Sequence, residues 1–351
     1  MKTQSRYLGV DVAKDLLVVA FERNRWQFAN SKEGYRKLIA QIRKESGSMH
    51  VVCEATGPYH LAMCLALQEA AIAVTVSNPA RIKYFGRSEG VLAKNDPIDA
   101  ALIERFASAK RPEPDPPISR EQIALNELVN HRAQLVASRK GLLAARQQLL
   151  DASVRKEIDR AIAALDRCIA SAERRLKQRV DSHPLWKEKI ARLSSVKGVG
   201  FLTAVVLMAK MPELGSLSRG QCAALAGLAP FDNESGARNG KRSIQGGRCD
   251  VRSALYMAAL SATTSNLVLR QFYQRLIDGK KPFKVAITAV MRKLLVYLNS
   301  LLKALVQPSS AHRRLDLSII APVRPDARMP GTGTPRRSSR TNRIKAIVGK
   351  S

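Results

Sequence analysis

The sequence predicts an α/β domain with a mixed sheet, followed by a heptad-patterned helical segment and a mostly helical domain. Three observations predict it. Short runs rich in Val and Leu (YLGVDVA, DLLVVAFE, MHVVCEA, AIAVTVS) fall within the first 80 residues, with helix-length stretches between the later ones. From residue 119 onward such runs give way to Ala-, Leu-, Arg- and Gln-rich stretches of helical period. Between the two lies RPEPDPP at 111–117, whose prolines lack the N–H that a helix needs.

Residues 5 to 30 read as a three-strand meander, RYLGVDVA, DLLVVAFE and RWQFAN, with turns at Lys14-Asp15 and at Asn24. A helix follows through EGYRKLIAQIRKE, and Ser31 is its N-cap candidate. MHVVCEA is a buried-type strand, Pro58 to Ala71 a helix, and AIAVTVS a further strand ending at Asn78-Pro79. A last helix of this domain starts at Asp96, with Asp96 as N-cap, Pro97 at N1 and Asp99 at N3. The order βββαβαβα resembles the ribonuclease H-like fold, in which a meander precedes alternating units. Domain boundaries are placed at residues 1–110, 111–184, 185–306 and 307–351.

In the second segment Leu128, Leu135, Leu142 and Leu149 recur every seven residues, each followed by another apolar residue. Ile162, Ile169 and Leu176 repeat likewise against Ile158, Leu165 and Ala172. Two heptad helices joined near Asp151 to Arg155 imply a helical hairpin or an intermolecular coiled coil. Arg132, Arg139 and Arg146 keep the same spacing, as a nucleic-acid track or as solvated charge. From Leu185 to Val306 the chain reads as mostly helical. The glycines of GVG, Gly198 and Gly200, resemble a helix-hairpin-helix turn that presents N–H groups to a phosphate beside Lys197; a tight helix–helix turn needs glycine too. Residues 308–351 are rich in Pro, Gly, Ser, Thr and Arg, with net charge +8, and read as a disordered basic tail.

Charge narrows the function. The 351 residues carry 59 Lys+Arg against 29 Asp+Glu, a net of +30, so a polyanion such as nucleic acid is the natural partner. Residues 1–110 hold only +5 of it. No apolar run reaches about 18 uninterrupted residues, and no signal peptide precedes Tyr7, which points to a soluble cytoplasmic protein rather than a membrane one. Five cysteines form no CxxC pair, which argues against zinc and fits a reducing compartment.

Within the nearly neutral first domain, Asp11 and Glu54 interrupt apolar strands, where an unpaired carboxylate costs several kcal/mol. Asp96 and Asp99 follow on the next helix. Each has a structural explanation of its own: a turn-proximal Asp, a Glu paired with Arg, and a capped helix start. Together, two carboxylates at adjacent strand ends and two on one helix can converge on Mg²⁺ or Mn²⁺, as a two-metal phosphoryl-transfer site requires. A second constellation is the polar loop PFDNESGARNGKRSIQGGRCDVRSALYM. There Ser235-Gly236 lies among Arg238, Lys241, Arg242, Arg248 and Arg252, and Gly240, Gly246 and Gly247 allow close backbone approach. It reads as a serine nucleophile in a cationic nest or as a solvated basic loop; Ser243 ranks behind Ser235.

The blocks GVDVAKD, CEATGPYH, NPARIKYFGRSEG, KNDPIDA, GVG, LAGLAP, SGARNGKRSIQGG and RSALYMAAL, in this order over residues 6 to about 300, resemble the transposases of insertion-sequence family 110. That family includes the Piv-like DNA invertases. The resemblance implies a RuvC-like domain whose DEDD tetrad corresponds to Asp11, Glu54, Asp96 and Asp99, and a coiled coil that mediates dimer contacts. It also implies a transposase domain whose nucleophile corresponds to Ser235. The implied chemistry is a covalent phosphoserine link formed in a composite site with Mg²⁺ held by the carboxylates. A bridge RNA pairing with donor and target double-stranded DNA, a dimer or tetramer, and a bacterial, nucleoid-associated location are implied by the resemblance alone. A DNA recombinase is therefore expected. The rivals are a RuvC-like nuclease or junction resolvase using water, and a non-catalytic nucleic-acid scaffold.

Overall fold

The computed structural model describes residues 6–55, 57–90, 96–117, 119–231, 234–235, 238–239 and 243–306. Chain contacts divide it into two compact units, Met1–Ala124 and Leu125–Ser351.

The first unit carries the predicted meander as β1 (Arg6–Val12), β2 (Leu16–Phe21) and β3 (Asn24–Ala29). The second turn is Glu22-Arg23 rather than Asn24. Asn24 pairs with Phe21 inside the ladder, and Glu22 takes the left-handed conformation at φ 52°. Helix α1 (Lys32–Ile42) starts where Ser31 accepts a hydrogen bond from the Gly34 amide. Strand β4 (Met49–Glu54) follows, then α2 (Leu61–Glu69), shorter than the predicted Pro58–Ala71, and β5 (Ala73–Ser77). The sheet order is β3-β2-β1-β4-β5, with β1, β4 and β5 parallel and β2 and β3 antiparallel.

Helix α3 (Pro79–Ser88) was not anticipated, although its signal is plain in the sequence: Asn78 caps it by accepting from the Ala80 amide, and Pro79 sits at its start. Helix α4 spans Asp96–Lys110, so Asp96 is its first residue rather than the cap before it. Beyond α4 the proline-rich stretch closes the edge of β5. The Asp115 amide donates to the Val74 carbonyl, the Asp115 carboxylate accepts from the Val76 amide, and Thr75 donates to the Glu113 carbonyl. Such a strap blocks pairing of an exposed edge with another strand.

The two faces of the sheet are distinct because side chains alternate along a strand. Leu8, Val10, Val12, Val51 and Cys53 face α1 and α2, packing on Tyr35, Leu38, Met63 and Leu67. The other face, with Val18, Ala20 and Val52, carries α3 and α4.

Among its described residues the second unit is helical apart from one β arm. Helices α5 (Arg120–Gln147) and α6 (Ala152–Asp181) form the hairpin, and Asp151 caps α6 by accepting from the Ser153 and Val154 amides instead of forming the link. Leu125, Leu128 and Val129 share the main core with Leu176 and Val180, whereas Leu135, Leu142 and Leu149 are half-buried. These contacts make an intramolecular hairpin. Helices α7 (Pro184–Ser194), α8 (Phe201–Lys210) and α9 (Arg219–Leu225) follow. The arm comes next, with β6 (Pro230–Phe231) paired to β9 (Ser243–Ile244) and β7 (Glu234–Ser235) paired to β8 (Arg238–Asn239). Then come α10 (Cys249–Ser265), α11 (Leu267–Asp278) and α12 (Phe283–Val306). Helix α12 is long and apolar enough to cross a membrane, yet Val290, Leu294, Leu298 and Leu302 are wholly buried in this core, so it is accounted for as a core helix. The predicted tail, 308–351, lies outside the described residues.

Candidate active site

Register places the first two carboxylates. Val10 pairs with Cys53 across parallel strands β1 and β4, and the next residues along are Asp11 and Glu54. They therefore stand side by side, about 4.8 Å apart at the backbone, and on the same face. Asp11 shares that face with Gly9, and Glu54 shares it with Val52. It is the face covered by α4: Val52 packs with Ile103 and Phe106, while Val18 and Ala20 pack with Ala100.

The direction of α4 follows from two contacts. A Cβ placed on Gly9 would lie 2.2 Å from the Ala100 carbonyl oxygen, so helix and strand backbones touch there. Four residues later the Glu104 carboxylate accepts from the Glu22 amide (3.2 Å), in the turn beside the start of β1. Helix α4 thus runs antiparallel to β1, and its first turn, with Asp96 and Asp99, lies toward the sheet end that carries Asp11 and Glu54. Asp11, Glu54 and Asp99 are all half-buried. The Asp96 side chain lies outside the described residues. Among the described residues no three His, Cys, Asp or Glu side chains are grouped to hold a metal.

The chemistry around these carboxylates suits a hard cation. Ser77, paired with Glu54 across β4 and β5, is buried, and its hydroxyl has no hydrogen-bond partner among the described residues. Sequence reading missed it; a serine ending an apolar strand beside Glu54 was the available signal. Cys53 faces the opposite side, 3.9 Å from Cys64. That thiol–thiol hydrogen bond, with burial, holds its pKa well above the usual value, so it offers no thiolate. Oxygen donors of this kind suit a hard divalent cation rather than a softer metal.

In the second unit, Ser235 is the last strand residue before the tip of the β arm, its backbone paired with that of Arg238. The side chains of Ser235 and Arg238, and Gly236, Gly240, Lys241 and Arg242 altogether, lie outside the described residues. Two arginines of the predicted cationic nest have partners within the protein. Arg248 forms a bidentate pair with Glu213 (2.8 and 2.7 Å) and donates to the Lys210 carbonyl. Burial raises the Glu213 pKa, but the hydrogen bonds and charge of Arg248 outweigh it and leave the carboxyl below its ordinary value. Arg252 donates to the Gly246 carbonyl (2.7 Å). The glycines likewise serve the protein's own backbone. A Cβ on Gly247 would lie 2.1 Å from the Gly227 nitrogen, and one on Gly227 would lie 2.2 Å from the Gly246 oxygen. The base of the arm is therefore clamped, and Ser243, at its base, is exposed.

The heptad arginines also have partners. Arg132 pairs with Glu173, Arg139 with Asp166 and Arg146 with Asp159, at 2.7, 2.5 and 2.5 Å. Partners descend by seven as the arginines ascend by seven, which is the register of an antiparallel hairpin. Their spacing is accounted for by this ladder. Gly198 (φ 100°) packs against Ala262, where a Cβ would approach within 2.6 Å, so the GVG turn is first a packing device. Lys197 and Gly200 beside it are exposed.

Residues 8–154 match a family model described as a transposase, the DEDD transposase of IS110, and residues 190–274 match the transposase IS116/IS110/IS902 family. The chain belongs to the IS110 transposase family. The pilin gene-inverting proteins of Moraxella bovis and Moraxella lacunata are each 28% identical to it over 304 residues, covering 82% of this chain and 93% of theirs. As an IS110-family transposase it is a DNA recombinase, and its mixed α/β unit followed by helices is consistent with a RuvC-like DEDD domain. The DEDD-type family is divalent-metal-dependent, and the first family match contains all four predicted carboxylates.

Proposed function

We propose that this transposase breaks and rejoins double-stranded DNA by a serine mechanism, with Asp11, Glu54, Asp96 and Asp99 holding Mg²⁺ (or Mn²⁺) and Ser235 attacking the scissile phosphate. The observation that carries the reading is the placement of Asp11 and Glu54 side by side at the sheet end toward which α4 brings Asp99. The bound cation would supply positive charge at the phosphate oxygens. The Ser235 hydroxyl oxygen forms a bond to phosphorus as the phosphate–deoxyribose bond breaks. The serine proton passes to a base, and the leaving sugar oxygen gains one. Rejoining reverses the step with a different strand, so no cofactor is consumed. Arg238, Lys241 and Arg242, close behind Ser235 in sequence, would stabilise the pentavalent charge.

The family resemblance supports a bridge RNA that selects donor and target DNA. The half-buried leucines Leu135, Leu142 and Leu149 support assembly through α5 as a dimer or tetramer. With its basic charge, the protein would work on the bacterial nucleoid in the cytoplasm.

The experiment is Mg²⁺ titration of the full-length protein, followed by calorimetry and by strand cleavage of a plasmid substrate. Wild type should bind Mg²⁺ and require it. Asp11→Asn and Glu54→Gln should remain folded, lose that heat and lose cleavage. Cleavage undiminished in a chelator would refute the carboxylate assignment.

A further inference from the structure

The block NPARIKYFGRSEG is left without a role by the chemistry above, and most of it forms α3. Ile82 and Gly86 are buried against α4, where a Cβ on Gly86 would lie 2.8 Å from Leu102. The opposite side presents Arg81, Lys83, Tyr84 and Arg87 to solvent. Between α3 and α4 opens a cleft of about 360 Å³ lined by Arg81, Tyr84, Phe85, Ser88, Phe106 and Lys110. Its floor is aromatic, with Phe85 and Phe106 packed edge to face at 5.6 Å, and Arg81 lies 5.5 Å over the Phe106 ring. Tyr84 stands at the rim, 62% exposed, so its ring is open to solvent.

Among the described residues, two cations and no carboxylate line this cleft, which separates it from others of the same unit. The cleft at Arg6 and Arg111 includes Glu22 and Glu104, and the one at Arg120 includes Glu69 and Glu121. The nearby Glu89 is engaged by Arg105 at 2.5 Å. A surface that sets one exposed aromatic ring, Tyr84, beside positive charge fits a ligand with flat π faces and an anionic backbone. A protein partner docking here would have no counter-charge to offer the cations unless it were acidic, and would leave the open Tyr84 ring without a stacking partner.

We propose that the α3–α4 cleft binds a single-stranded nucleic-acid segment, with an unpaired base stacked on Tyr84 and the adjoining phosphates on Arg81 and Lys110. Stacking of this kind is tolerant of base identity and requires bases free of a duplex. Phe106 and Lys110 lie on α4 about two and three turns beyond Asp99, and none of the four carboxylates nor Ser235 lines the cleft, so it holds a strand without supplying the cutting groups.

The test is photo-crosslinking of the full-length protein to single strands of about 12 nucleotides carrying one 5-iodouracil, as RNA and as DNA, with the matching duplex as competitor. The adduct should map to the peptide containing Tyr84. Tyr84→Ala should abolish that adduct and weaken single-strand binding about tenfold, with duplex binding unchanged. Tyr84→Phe should retain single-strand binding, because the ring rather than the hydroxyl stacks. Lys110→Gln should reduce the salt dependence of single-strand binding by about 0.7 in log–log slope. A stronger adduct with RNA or with DNA names the source of the strand. An adduct mapping elsewhere, or equal losses of single-strand and duplex binding in Tyr84→Ala, would overturn the proposal.

Discussion

Gly9→Ala probes how the fold sets the carboxylates. The methyl group would point at the backbone of α4, 2.2 Å from the Ala100 oxygen and 2.3 Å from the Glu104 nitrogen. Ordinary contact begins near 3.4 Å, so helix and strand must separate by about 1.2 Å. Backbone cannot rotate aside as a side chain would. Overpacking of this kind costs about 1–3 kcal/mol. The functional cost should exceed the stability cost, because Asp96 and Asp99 ride on the displaced helix while Asp11 and Glu54 stay on the strands. A misplacement of about 1 Å at a reacting centre costs on the order of 10²-fold in rate. Chemical denaturation gives the first number and plasmid recombination the second. Gly141→Ala, in α5 with nothing within 4 Å of its Cβ, is the control and should stabilise by about 0.5–1 kcal/mol. A Gly9→Ala protein that unfolds and recombines like wild type would refute the described approach of α4 to β1.

Two further perturbations test other parts of the structure. In the hairpin ladder, Arg139→Asp and Asp166→Arg should each destabilise α5–α6, and the double exchange should recover most of the loss. A coupling of about 0.2–1 kcal/mol is expected for so exposed a pair, and zero coupling would remove the ladder. In the sheet, Thr75 gives its proton to the Glu113 carbonyl, so the neutral His50 Nε2–H donates to the Thr75 oxygen at 2.9 Å. Burial lowers the His50 pKa, partly offset by Asp115 and Glu113. The unfolded chain then takes up this proton near pH 6.5 while the folded chain does not, so folding stability falls as pH drops below that value. His50→Gln should flatten that part of the stability–pH profile; an unchanged profile would contradict the buried neutral imidazole.

What the sequence revealed tracks where the determining forces are local. The meander, α1 with its Ser31 cap, β4 and β5 were legible because alternation and caps are written within a few residues. The start of helix α3 is equally local, written in Asn78-Pro79. The role of Gly9 was not legible: nothing near it in sequence indicates that α4, some ninety residues later, would lie on it. The heptad arginines were ambiguous for a related reason, since their partners Asp159, Asp166 and Glu173 lie on another helix, and only the antiparallel register reveals the match. Five cations crowd one loop in the sequence, and nothing in composition distinguishes Arg248 and Arg252 from the other three. Their use in clamping its base depends on Glu213 and Gly246, which composition does not single out.

The most direct test of the central claim is the identity of the atom joined to DNA. With Mg²⁺ and a nicked suicide substrate that cannot be rejoined, the wild-type protein should accumulate a covalent adduct. Mass spectrometry after nuclease digestion should place the phosphoryl group on Ser235. Ser235→Ala should bind the same DNA and form no adduct, and Ser243→Ala should still form it. Cleavage by Ser235→Ala near the wild-type rate, with no adduct in either protein, would mean that water is the nucleophile and would contradict the account.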